Sequence, residues 1–116
     1  MTIIDRKQAS AQNSFPGIDR WTHVDGEMGA QSLSVMDLHM SAESTVPTHT
    51  HPTEEAMVVL EGQLEAIIGD EVVTVQQGQT ILAPAGVRHG LTNRSGAVAR
   101  IMAIFPTATV ERTFVD

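Results

Sequence analysis

The stretch Thr48-His49-Thr50-His51-Pro52-Thr53-Glu54-Glu55-Ala56-Met57-Val58-Val59-Leu60-Glu61-Gly62 (THTHPTEEAMVVLEG) puts two of the chain's five histidines one residue apart, adds two glutamates, then turns apolar. In a strand, residues two apart project from one face. His49 and His51 can therefore aim at one point while Thr50 faces away. Glu55 stands four residues beyond His51, on the same parity, although Pro52 perturbs the ladder between them. Glu54 has the opposite parity and is expected to point elsewhere. Imidazole and carboxylate together suit Fe, Mn, Zn, Ni or Cu, and two His with one carboxylate is the donor set of non-haem iron sites. Read alone, the stretch is equally compatible with a solvated polar loop.

Outward from it the chain reads as strands. Val58-Val59-Leu60 runs into Glu61-Gly62, and Gln63-Leu64-Glu65-Ala66-Ile67-Ile68 begins by alternating polar with apolar. Gly69-Asp70 is a turn dipeptide, and Glu71-Val72-Val73-Thr74-Val75 returns with β-branched residues, which together predict a hairpin. Gly78, Pro84 and Gly86 punctuate a short Ile81-Leu82-Ala83 run and are read as turn makers. Ala97 to Phe105 forms another strand closed by Pro106. Upstream, Ser32 to Met40 carries Met36, Leu38 and Met40 at period two, with Asp37 and His39 on the other face. Ser14-Phe15-Pro16-Gly17 is expected to be loop, within an N-terminal arm of about 20 residues. Many short strands with Gly and Pro turns indicate an all-β sandwich or barrel. No repeat, low-complexity tract or linker interrupts it, so residues 1–116 are expected to be one domain.

A second segment bears on the first. Gly78-x5-Pro84-x-Gly86-x2-His89-x3-Asn93 supplies another histidine beside a turn shaped by glycine and proline. With it the chain resembles the cupin superfamily. That family's first motif, G-x5-H-x-H-x3-E-x6-G, is met by His49, His51, Glu55 and Gly62, and its second by Gly78, Pro84, Gly86, His89 and Asn93. The one departure is Glu43, which stands where the first motif has its leading glycine. The motif core runs over 43–93, about half of the chain, with 15 residues between Gly62 and Gly78.

The resemblance implies a double-stranded β-helix, a jelly-roll barrel of two antiparallel sheets with a divalent metal in its mouth. Carried over position by position, the ligands are His49, His51, Glu55 and His89. Three neutral imidazoles and one carboxylate leave a divalent ion near +1 and with about two open positions if it is six-coordinate. An open position distinguishes a catalytic metal from a structural one. With Fe(II) the chemistry implied is that of a dioxygenase; with Mn, Zn or Ni it is Lewis-acid polarisation of a carbonyl, as in an isomerase, cyclase, lyase or decarboxylase. Glu55, if it leaves the metal, is the nearest candidate base in either case. Small cupins similar to this chain include quercetinase-like dioxygenases and enzymes that ketonise unsaturated uronic acids. Others only hold a metal or a small ligand, and this non-catalytic module is the competing class.

Composition excludes several functions. The chain has no cysteine, so neither disulfides nor thiolate metal sites are open to it. Net charge is −7, with basic residues scattered singly apart from Arg6-Lys7, so no stripe exists to neutralise nucleic-acid phosphates. No apolar run is long enough to span a membrane, and the N-terminus reaches charge after two isoleucines, which predicts a cytoplasmic protein. Tyrosine is absent. Cupin sugar epimerases with a histidine–tyrosine pair and cupin thiol dioxygenases are thereby disfavoured, and the chain has no room for the helix-turn-helix of cupin regulators.

Other polar residues carry weaker expectations. His39 could act behind the metal ligands, but it and His23, beside Trp21, read more simply as partly exposed surface residues. Arg20 and Arg100 sit on predicted strands and could orient a carboxylate, with surface placement the plainer reading. Met57 and Val59 share the parity of Glu55 and could line the pocket. Exposed strand edges need cover, and small cupins commonly dimerise. A homodimer is expected, with Thr2-Ile3-Ile4 a candidate exchanged strand, and a small-molecule substrate or ligand as the other partner.

Overall fold

Apolar residues recur at period two along most of the chain, and each such run becomes a strand with one face turned inward. The computed structural model describes residues 2–6 and 11–115. Eleven strands form two antiparallel sheets, and no α-helix occurs among the described residues. The strands are β1 (Gln12–Phe15), β2 (Ile18–Val24), β3 (Ser34–Met40), β4 (Thr45–Thr50), β5 (Glu55–Glu61) and β6 (Gln63–Ile68). They continue with β7 (Glu71–Gln76), β8 (Thr80–Ala83), β9 (His89–Thr92), β10 (Ala99–Phe105) and β11 (Thr113–Phe114), and a 3-10 turn lies at Gly26–Met28. One sheet has the order β1-β2-β3-β10-β5-β8 and the other β11-β4-β9-β6-β7. Neighbours far apart in sequence, such as β3 with β10 and β4 with β9, make this the jelly-roll barrel.

The core lies between the sheets and is aliphatic. Ile18, Met40, Leu64, Ala66 and Ile101 are fully or nearly fully buried, with Val59 and Ala99 beside them. Strand β10 shows the alternation most plainly: Ala99, Ile101, Ala103 and Phe105 face in, while Arg100, Met102 and Ile104 face out. The hairpin of β6 and β7 pairs Gln63 with Gln76 through Ile68 with Glu71, around the Gly69-Asp70 turn. Ser32 and Leu33 fall outside β3, and Ala97 and Val98 outside β10, so both strands start two residues later than the sequence indicates.

One expectation fails near the N-terminus. Ser14 and Phe15 are not loop; they end β1, and Pro16-Gly17 turns the chain into β2. Gly17 adopts φ 77°, so the turn needs only these two residues, and the flanking strands are too short and polar to show a period. Within the N-terminal arm, Met1 and residues 7–10 lie outside the described residues. Thr2, Ile3 and Ile4 are exposed and belong to no strand of this chain.

Asn93 secures the strand ends. It is fully buried, and its amide donates to the carbonyls of Met40, Ser41 and Ala97 at 2.9, 3.2 and 2.7 Å. Its carbonyl accepts from the Ser95 backbone and hydroxyl, so the side chain is fully used. Beside it, Glu43 donates its N–H to the Asn93 carbonyl and adopts φ 66°, a left-handed conformation that favours glycine. The single departure from the motif is thus a glutamate in a glycine's backbone conformation.

Candidate metal centre

Local irregularity in β4 sets up the site. Val46 pairs with Leu91 and His49 pairs with His89, so three steps along β4 match two along β9. The extra residue is a bulge, and Pro47, which has no N–H for the ladder, lies in it. The bulge shifts the parity so that Val46 and His49 both face the interior, although they are three apart. His51 follows just beyond β4, Glu55 opens β5 and His89 opens β9. All four are buried, and one ligand atom from each lies within 4.8 Å of every other. Glu54 is exposed and lines a separate surface hollow, as its parity predicts.

Hydrogen bonds fix which nitrogens face the centre. His49 Nδ1 lies 2.7 Å from the Pro47 carbonyl, His51 Nδ1 2.6 Å from the Glu111 carbonyl, and His89 Nδ1 3.0 Å from the Val87 carbonyl. A carbonyl can only accept, so each Nδ1 carries the proton and each neutral ring presents a bare Nε2 lone pair inward. These lone pairs crowd one another. His49 Nε2 and His51 Nε2 are 3.1 Å apart, and the Glu55 Oε1 oxygen is 2.9 Å from His89 Nε2 and 3.4 Å from His51 Nε2. Three bare nitrogens and a carboxylate converging in a buried site repel one another unless a cation sits among them. Either a proton or a metal ion meets that need, and imidazoles held by Nδ1–H···O=C contacts are the usual arrangement around a metal. The residues present therefore fit a divalent ion.

Protonation in the chain alone follows the same crowding. Burial lowers His49 to about 4, opposed by its hydrogen bond to Pro47 and aided by the charges of His89, His51 and Arg112. Burial raises Glu55, but its contacts with His51 and His89 outweigh it and hold the carboxyl below its ordinary value. Burial lowers His89, and the hydrogen bond to Glu55 outweighs it, so the ring is raised. Burial thus disfavours a charged His49, while contact with Glu55 favours a charged His89.

A cavity of about 540 Å³, including its mouth, opens over these groups. Phe15, Met36, Leu38, Met57 and Phe105 give it apolar walls, and among the described residues Arg20 and Arg112 are its only other charged lining residues. Met57 thus lines the pocket as its parity suggests, whereas Val59 is buried in the core below. Of the two arginines singled out in the sequence, Arg20 reaches the cavity. Arg100 does not: it points to the outer face of its sheet and pairs with Asp37 at 3.2 Å. His39 and His23 join that outer cluster, with His39 Nε2 3.3 Å and His23 Nε2 3.6 Å from Asp37, so neither stands behind the metal ligands. Neither is a simple surface residue either, because together with Arg6 and Trp21 they cover a carboxylate that is 1 % exposed.

Sequence reasoning missed the C-terminal contribution. Strand β11 pairs with β4, placing Phe114 opposite His49. The Phe114 ring lies 6.2 Å from that of His49 and 6.1 Å from Phe15, and Arg112 stacks over Phe15 and Phe114 at 5.5 and 5.6 Å. A two-residue strand carries no periodicity, so only the polar–aromatic run Glu111-Arg112-Thr113-Phe114 could have drawn attention to it.

A family model described as the cupin domain matches residues 36–105. No curated protein matches. Among solved structures, the polyketide cyclase RemF from Streptomyces resistomycificus is 24 % identical, with a TM-score of 0.80, covering 100 % of this chain and 87 % of that one. KdgF from a Halomonas species is 18 % identical, with a TM-score of 0.76, covering 91 % of this chain and 94 % of that one. Lactobacillus farciminis oxalate decarboxylase is 15 % identical, with a TM-score of 0.84, covering 94 % of this chain but 34 % of that one. At these identities the likeness concerns the fold.

Proposed function

The chain belongs to the cupin family, and on that premise we propose that it is a metal-dependent enzyme acting on a small oxygenated organic molecule. The ligands are His49, His51, Glu55 and His89, and the whole of residues 1–116 serves as one unit of this fold. The observation that carries the reading is the convergence of three Nε2 lone pairs and a carboxylate beneath an open, mostly apolar cavity. A purely structural metal site would be closed over by protein ligands. When bound, a divalent ion of the Fe, Mn, Zn or Ni kind supplies either Lewis-acid polarisation of a substrate oxygen or a site for oxygen chemistry.

The chain's own groups do the rest. The walls exclude bulk water from the reacting atoms, which strengthens electrostatic interactions inside. Contacts with His51 and His89 hold the Glu55 carboxyl below its ordinary value, and Glu55 is the one carboxylate lining the cavity among the described residues, so it is the assigned proton acceptor once it leaves the metal. The proposed setting is the cytoplasm; among the described residues no helix is long and apolar enough to cross a membrane. The proposed assembly is a homodimer. Its support is the outer face of the six-stranded sheet, where Ala56, Val58, Met102 and Ile104 adjoin Leu60 and Leu82, 37 % and 61 % exposed.

Elemental analysis of protein purified without added metal tests the ligand set. About one equivalent of a transition metal is expected, and its loss in His49→Ala/His51→Ala; equal metal in both would sink the assignment. Oxygen uptake by Fe(II)-loaded protein with diketones, flavonols and uronates then separates the two chemistries. Turnover without oxygen consumption identifies the Lewis-acid enzyme. Absence of turnover across the panel, with a small molecule retained through purification, identifies a binding module.

A further inference from the structure

Charge in the cavity does not balance. Among the described residues Arg20 and Arg112 both line it, and its one acid is Glu55. Among the described residues neither arginine has a carboxylate within ion-pair distance. Arg6 and Arg100, by contrast, pair with Asp37, and Arg94 pairs with Glu65. Asp25 and Glu27 share an outer groove with Arg20 and Arg112 but make no ion pair with them. Arg20 gives an Nη2 hydrogen bond to the neutral amide oxygen of Gln12, while its Nε–H is buried without an acceptor. The Ser14 hydroxyl, also on the cavity wall, is likewise buried without a partner.

These features are costly unless something answers them. Two guanidinium groups near one another repel, and Arg112's pKa is lowered by burial and then by the charge of Arg20. A divalent ion on the ligand set would add further positive charge. A buried donor without an acceptor costs on the order of 1–3 kcal/mol. Where such groups line an open cavity, a ligand that accepts from them is one way to complete them.

We propose that the cavity binds a small carboxylate whose anionic group is clamped by Arg20 and Arg112, with Ser14 as a further donor and the rest of the molecule turned to the ligand-set side. A carboxylate matches the planar guanidinium fork and accepts from Nε–H and the hydroxyl together. Phe15, Met36, Leu38, Met57 and Phe105 take the apolar part. Small size is required as well: the centre of a water molecule can move through only about 50 Å³ of the cavity, room for roughly four waters. This deepens the enzyme reading and rests on the same cavity, but it places recognition on the arginines and not on the metal.

Matched probes separate the two. Benzoate and butyrate, with benzamide and butyramide as uncharged counterparts, are titrated by calorimetry against the Zn-loaded and the metal-free chain. The acids are expected to bind both forms and the amides neither. Arg112→Gln and Arg20→Gln should each weaken acid binding roughly ten- to a hundredfold, the range for a lost charged hydrogen-bond pair, with metal content unchanged. Where a variant fails to fold, the Arg20 Nε–H resonance of the unmutated chain serves, and benzoate should shift it. Acid preference that disappears with the metal, or that survives both substitutions, would overturn the clamp, because the metal alone would then be drawing the anion. A wild-type chain that binds no metal yet keeps acid preference refutes the enzyme reading and leaves the clamp standing.

Discussion

His49 makes the metal-free chain acid-sensitive in a calculable way. The residue is 5 % exposed, and burial lowers its pKa from 6.5 to about 4. The unfolded chain therefore takes up this proton near pH 6.5 while the folded chain resists it until about pH 4. Stability rises with pH wherever the unfolded state holds more protons, so here it falls as pH drops below 6.5 and levels off below 4. One pKa unit is about 1.4 kcal/mol, which puts the loss near 2–3 kcal/mol between pH 7.5 and 4.5. For 116 residues at about 2.1 cal/mol/K each, that is a fall in Tm of roughly 10 °C. The neighbouring groups act at the edges of this window, and the comparison with a variant lacking only His49 subtracts them. His89 is raised, so its contribution is complete below 6.5 and is lost as pH rises through its folded value. Glu55 is lowered, so its contribution holds above about 4.5 and is lost as pH falls through its folded value. The assay is thermal unfolding in EDTA from pH 7.5 to 4.5, for the unmutated chain and for His49→Asn, which cannot titrate. The two curves should diverge by about 10 °C in Tm toward low pH. Parallel curves would show that the buried ring does not carry the effect.

Other substitutions probe the rest of the molecule. Zinc at about a hundred times its Kd should stabilise the chain by about 2.7 kcal/mol, or roughly 11 °C, and leave the Tm of His49→Ala/His51→Ala unmoved; a shift in both would place the metal elsewhere. Glu43→Gly should raise Tm by about 2–4 °C, since glycine relieves the left-handed backbone at φ 66°; a fall would mean that the glutamate side chain contributes more than its strain costs. Asn93→Ala strips donors from three carbonyls and the acceptor from Ser95. A loss of about 3 kcal/mol is expected in urea unfolding, and a loss under about 1 kcal/mol would contradict the account of this residue as the tie between strand ends. Leu82→Glu, on the exposed apolar sheet face, should convert a dimer to monomer by light scattering; an unchanged mass would remove that face from the proposed assembly.

How much of this was legible beforehand depended on periodicity. Long strands with one buried face announce themselves, which is why β6 and most of β3 could be read from alternation. Strand β7, largely exposed, was legible from its β-branched residues after the Gly69-Asp70 turn, and β10 from an apolar run closed by Pro106. The donor set was legible because fixed motif spacing brought His89 to the His49–Glu55 stretch, a pairing that no local pattern could supply. What escaped notice was short or irregular. Strand β1 has four residues and β11 two, too few for a period to show. The bulge at Pro47 changes parity without leaving a trace in the alternation. Arg112 was missed because its place in the cavity comes from β11 lying against β4, a contact made across more than sixty residues. Asp37 and His39 were assigned to the outward face correctly, but alternation says nothing about the arginines and histidines that gather there.

The three imidazoles are oriented by main-chain oxygens of Pro47, Val87 and Glu111, and a main-chain oxygen is the one group that substitution leaves in place. Residues 87 and 111 can therefore change side chain without altering which ring nitrogen faces inward, provided the chain keeps its path. Divergent descendants of this protein could lose almost every residue around the histidines and still inherit their tautomers. The orienting layer is written in the course of the backbone, so it will outlast the resemblance by which relatives are usually found.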